Sequence, residues 1–73
     1  MPQFVVEVSM GGAWTPVLIW NVSNIRAALL KLDKHCTHAD LNIDTHRIKP
    51  LKTPDEIIDA NNCIKANKKG HHG

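Results

Sequence analysis

The run Phe4-Val5-Val6-Glu7-Val8-Ser9-Met10, followed at once by Gly11-Gly12, sets the architecture of this chain. It is rich in β-branched residues and alternates, with Phe4, Val6, Val8 and Met10 on one face and Glu7 and Ser9 on the other, the period of a half-buried strand. Gly11 and Gly12 supply the positive-φ positions of a tight hairpin, so Trp14 to Trp20 returns antiparallel beside the first strand. Pro16 has no N–H to give to a ladder, which places this part of the second strand at a sheet edge or a bulge. Edge surface open to a partner is therefore expected near Trp14 to Val17.

Downstream the period changes. Ile25, Ala28, Leu29, Leu32 and Cys36 share one stripe at spacings of three and four, with Arg26, Lys31 and Lys34 off it, so an amphipathic helix follows. Asn21 or Ser23 serves as its N-cap, and Lys34 and His35 in its last turn suit the negative end of the helix dipole. Leu41 to Pro50 reads as a third strand with Leu41 and Ile43 inward. Ile48 falls in the opposite phase, which a bulge near Asp44 to His46, or an end to the core-facing part of the strand, would reconcile. Thr53-Pro54-Asp55-Glu56 has the spacing of a capping box with proline at the first helical position, predicting a short second helix through Ile57, Ile58, Asn61 and Ile64. The expected fold is a small α+β domain: an antiparallel sheet in ββαβ order with one main helix packed on it over residues 1–52, a capped helical segment over 53–66, and a mobile basic tail over 67–73.

Seventy-three residues allow one domain, and the only aromatic side chains are Phe4, Trp14 and Trp20. A core of this size supplies about 3–5 kcal/mol, which leaves little for a dry, enclosed substrate pocket and disfavours an enzyme. Net charge is +2, with a pI near 8.7, short of a dedicated nucleic-acid-binding domain. That charge divides as +1 over residues 1–50 and +1 over 51–73, and the concentrated basic run is Lys65, Lys68 and Lys69 beside His71 and His72. Met1-Pro2-Gln3-Phe4 lacks the basic start and apolar stretch of a signal peptide, and no segment approaches the ~20 apolar residues of a membrane span. A cytosolic location with no membrane contact is expected, with Cys36 and Cys63 as free thiols.

Each candidate chemistry has a plainer counterpart. His35-Cys36-Thr37-His38, with Cys63 or the terminal histidines, invites a zinc site, but Cys36 continues the apolar helix stripe and His35 must point about 100° away from it. A nucleophilic cysteine needs a base and an orienting third group, and no oxyanion-hole glycine turn lies beside Cys36 or Cys63. Gly11-Gly12 precedes no helix N-terminus and is a hairpin turn rather than a phosphate loop. No catalytic residue, metal or cofactor is therefore assigned. Arg47, Lys49 and Lys52 cluster on and after the third strand, as a solvated rim or as a surface facing nucleic acid or an acidic protein patch. Of Trp14 and Trp20, one is needed in so small a core and the other is free to act as an exposed anchor.

The order hairpin, helix, strand, with Trp14-Thr15-Pro16-Val17-Leu18-Ile19-Trp20 leading into the helix and Arg47-Ile48-Lys49-Pro50 closing the third strand, resembles small phage proteins that bind host RNA polymerase. Coliphage members of that kind end the corresponding strand on an Arg, hydrophobic, Arg, Pro pattern whose cations contact the polymerase, so the resemblance implies contact roles for Arg47 and Lys49. In whole-chain character the sequence is similar to the antitermination and initiation-inhibiting regulators of lytic Xanthomonas phages. That likeness implies a monomer in the host bacterial cytoplasm that binds the polymerase β′ amino terminus near the RNA exit channel, with the β flap and elongation factors as further contacts. It implies inhibition of host initiation by interference with σ factor, and terminator readthrough, with nascent RNA within reach. On this reading Val5, Trp14 and Val17 meet the protein partner, and Arg47, Lys49 and Lys52 form an acidic- or RNA-facing rim. The alternatives are a small basic nucleic-acid-binding module, marked by steeply salt-dependent binding to free RNA or DNA, and a phage inhibitor of another host complex.

Overall fold

The computed structural model describes residues 2–70, with side chains described through residue 66. Strand β1 (Gln3–Met10) turns into β2 (Ala13–Asn21); helix α1 (Ile25–His38), a 3₁₀ turn (Ile43–Thr45), β3 (His46–Leu51) and α2 (Pro54–Gly70) follow. The sheet is antiparallel in the order β2-β1-β3, so the strand that opens the chain is its centre. This is the small α+β fold expected from the sequence.

The hairpin forms as its glycines require: Gly11 and Gly12 both sit at positive φ, 58° and 85°, the geometry that matches strand twist. Pro16 is tolerated because β2 is an edge strand, and because the register slips beside it. Val6 pairs with Leu18 and Glu7 with Pro16, leaving Val17 as the extra residue of a bulge.

Helix α1 is capped by Asn24, one residue beyond the expected Ser23; its side chain accepts from the Ala27 amide at 2.9 Å. The inward stripe is narrower than the sequence pattern: Ala28, Leu32 and Cys36 are buried, whereas Ile25 and Leu29 remain 45% and 52% exposed. Leu32 and Cys36 close on Val6, with Val17, Trp20 and Ile48 packed around them. Burying one such aliphatic side chain contributes about 1.5–3 kcal/mol. The helix ends in a Schellman arrangement, with the Leu41 amide on the Cys36 carbonyl at 2.8 Å and Asp40 held at φ 56°.

The third strand is shorter than the sequence predicts. Leu41 and Ile43, expected inward, are 44% and 42% exposed, and residues 43–45 form the 3₁₀ turn. Asn42 stabilises that turn by accepting the Asp44 amide through its side chain at 3.0 Å and the Thr45 amide through its carbonyl at 3.1 Å. Register restarts at His46, so Ile48, not Ile43, faces the core.

Helix α2 begins at the predicted capping box: Thr53 Oγ1 accepts the Glu56 amide at 3.2 Å and donates to Glu56 Oε1 at 3.3 Å. It continues through Gly70, past the expected end at 66 and into the stretch assigned to the tail; residues 71–73 lie outside the described residues. Its buried residue is Ala60, with Ile57 and Ile64 half-buried, while Ile58, expected on the stripe, is 55% exposed. The helix packs chiefly across β2, and α1 lies against β1 and β3. The helices therefore take opposite faces of the sheet, and β1 is buried on both: Val5 is 2% and Val6 0% exposed. Among the described residues no helix is long and apolar enough to cross a membrane.

Candidate functional site

In the β1–β3 ladder Glu7 stands directly opposite Arg47. On the face carrying Val5, Glu7 is covered to 8% exposure, which a lone carboxylate would not tolerate. Arg47 Nε donates to Glu7 Oε1 at 2.7 Å, a charge-assisted bond made in surroundings drier than bulk water. Trp14, which follows the hairpin and pairs with Ser9, lies under the other side of the guanidinium, 4.5 Å from its Cζ to the ring centre. Arg47 is thus held between a buried anion and an indole face while 47% of its side chain stays exposed. A guanidinium already fixed in one orientation loses little further freedom when it meets a carboxylate or phosphate.

Lys49, two residues on and opposite Val5, projects to the same side of β3 and is exposed; Lys52 follows the strand and is exposed as well. Arg47 and Lys49 are brought together as the sequence indicates, with Lys52 beyond the strand end and Trp14 added to Arg47. Val5 and Val17 do not join them. Val5 is in the core under α2, and Val17, the bulge residue, packs against the Val6–Leu32–Cys36 cluster. Val5 offers no contact surface and Val17 a partly buried one, because the sequence pattern does not reveal that a second helix covers the face of Val5 or that Val17, at the bulge, packs against the core cluster.

Between α2 and the sheet runs a shallow cleft of about 200 Å³ lined by Val5, Glu7, Pro16, Lys49, Leu51, Glu56, Asp59, Ala60 and Cys63. Cys63 is exposed along it; Cys36 is buried in α1, where desolvation first and the Asp33 carboxylate second push its thiol pKa up, away from the nucleophilic thiolate. Among the described residues no three His, Cys, Asp or Glu side chains converge to hold a metal ion.

A second basic group appears on the other face of the sheet. Lys31, Lys34, His35 and His38 line an open hollow together with Trp20 of β2. The spacing of three, one and three already places these side chains on one flank of α1; what the sequence does not show is the tryptophan brought beneath them. No family model, no curated protein and no solved structure matches this chain.

Proposed function

We propose that this chain is a non-enzymatic regulator, encoded by a phage, that binds host bacterial RNA polymerase near the β′ amino terminus and the RNA exit channel. There it interferes with σ factor during initiation and allows elongating polymerase to read through terminators. The observation that carries this reading is the pair Arg47 and Lys49, exposed on the α2-facing side of edge strand β3, with Arg47 pre-set by Glu7 and Trp14. These are the two cations of the Arg-Ile-Lys-Pro stretch through which the chain resembles polymerase-binding phage proteins. An edge strand leaves main-chain groups on one side for an added segment, and fixed cations beside it select an acidic one.

The test uses purified host polymerase, the full chain, and a promoter template with a downstream terminator. Arg47→Glu is a poor probe, because it sets two carboxylates against each other at a nearly buried position. Lys49→Glu with Lys52→Glu reverses two exposed charges; because Lys49 lines the cleft with Glu7, Glu56 and Asp59, the variant's urea unfolding midpoint is measured beside it to show that the fold is kept. Polymerase retention, promoter inhibition and readthrough are expected to weaken together by about tenfold or more, since each like-charge contact opposes docking. Unchanged retention and readthrough in this double variant would remove the rim from the mechanism, and no retention of the unaltered chain would remove the mechanism itself.

A further inference from the structure

Where the Trp20 side chain of β2 reaches α1, Lys31, Lys34, His35 and His38 surround the half-buried indole in a hollow of about 440 Å³, and no carboxylate lines it among the described residues. Lys31 Nζ stands 5.0 Å from the Trp20 ring centre, and the His35 ring meets the indole edge-on at 5.7 Å between centroids. The hollow thus combines a planar ring, anchored on the Val6–Leu32–Cys36 core, with cations on one side of it. The last-turn carbonyls of α1 bring negative charge to its far end, so an anion is received at the Lys31 and Lys34 side of the hollow. An acidic peptide would satisfy the lysines but make no use of the ring. A chain that alternates phosphates with flat bases uses both, and it must be single-stranded for a base to leave its stack and reach the indole.

We infer that this hollow binds single-stranded RNA, with phosphates on Lys31 and Lys34 and a base on the Trp20 indole where the Lys31 ammonium now sits. The inference deepens the polymerase reading and rests on it for the choice of RNA, since that reading seats the protein where the transcript emerges. It also moves the nucleic-acid contact away from Arg47, Lys49 and Lys52, to the opposite face of the sheet. The molecule then has two working faces: one holds the enzyme, and the other holds the RNA single-stranded and away from hairpin closure.

The experiment is a fluorescence titration of the full chain, carrying Trp14→Phe so that Trp20 alone reports, with a short oligouridylate RNA at about 0.1 M salt, where charges beyond about 10 Å are screened. Saturable quenching is expected. Lys31→Glu with Lys34→Glu weakens it about tenfold or more, and Lys31→Gln with Lys34→Gln lowers the slope of log affinity against log salt by about 1.4, two single-strand phosphate contacts at ~0.7 each. Lys49→Glu with Lys52→Glu has the same net charge as the first pair and is expected to retain the affinity within about twofold, because only the charges' location differs. Absence of quenching, or equal loss in the two Glu pairs, would overturn the site. Loss of RNA binding in the oligouridylate assay with polymerase retention intact in Lys31→Glu/Lys34→Glu supports a division of labour between the faces. Loss of polymerase retention in that variant, with no RNA binding by the unaltered hollow, would assign the surface to a protein and overturn the proposal. Quenching with no polymerase bound by the unaltered chain would instead defeat the functional reading and leave the RNA site standing.

Discussion

Arg47 serves two ends at once, and substitutions at its partner separate them. Arg47→Ala leaves the Glu7 carboxylate, 8% exposed, without its cation. The expected cost is about 1–3 kcal/mol in urea unfolding, the penalty of a nearly buried acceptor left unpaired. Glu7→Gln keeps an oxygen for Arg47 Nε and should cost about 1 kcal/mol or less. The reverse order of the two would mean that Arg47, not Glu7, is the group the fold cannot leave alone. Asp40 offers a second single-residue test, since it occupies a left-handed position at φ 56° that favours glycine. Asp40→Gly should stabilise by about 0.5–1 kcal/mol in the same assay. The two thiols differ by burial: at neutral pH an alkylating reagent should modify exposed Cys63 quickly and Cys36 only as the chain opens. Because burial raises the Cys36 pKa above its ordinary 9.0, the thiol's contribution to stability is full below the unfolded pKa and is lost as pH rises through the folded one. Unfolding midpoints should therefore fall above about pH 9 in the parent and fall less in Cys36→Ala. Of these environments the burial of Cys36 is legible, because Cys36 continues the apolar stripe of α1; Glu7 alternates with Val6 and Val8 as a solvent-facing residue would, and only the helix above it shows otherwise.

The elements begin and end where local chemistry permits. Thr53→Ala removes both hydrogen bonds between the Thr53 hydroxyl and Glu56, and a loss of about 1 kcal/mol is expected, with faster amide exchange in the first turn of α2 than in α1. The hairpin, the start of α2 and the edge position of β2 are legible in the chain because each rests on a short-range rule: paired glycines, a side-chain cap, a proline without an N–H; the cap of α1 falls on Asn24 rather than on Asn21 or Ser23. The start of β3 is not legible in the same way. Leu41 and Ile43 alternate like strand residues, but the Schellman end of α1 and the turn around Asn42 consume those residues' backbone hydrogen bonds before the ladder can. Backbone groups already paired locally are not available to a neighbouring strand.

For the whole molecule, the consequence of α2 is that β1 has no solvent face. If residues 1–52 were self-sufficient, truncation after Lys52 would leave a cooperative unfolding transition. Removing α2 exposes Val5 and the Glu7–Arg47 pair, so the truncated chain is expected to lose that transition and its dispersed amide spectrum. The two candidate faces are whole-molecule properties as well. Trp14 with Arg47, and Trp20 with Lys31, are brought together by sheet register and by the packing of α1, across separations of 33 and 11 in sequence. That the cations divide into a strand-end set and a helix set can be read from the chain; which aromatic ring supports each set cannot.

The hairpin, the helices and the ββαβ succession of elements are settled along the chain, because glycine turns, caps and hydrophobic period act over a few residues at a time. The two-sided burial of β1, the packing of Val17 against the core cluster and the pairing of each tryptophan with its cations arise only when distant segments meet. Burial and electrostatics depend on what lies across a gap, and that is fixed by packing rather than by neighbours in sequence.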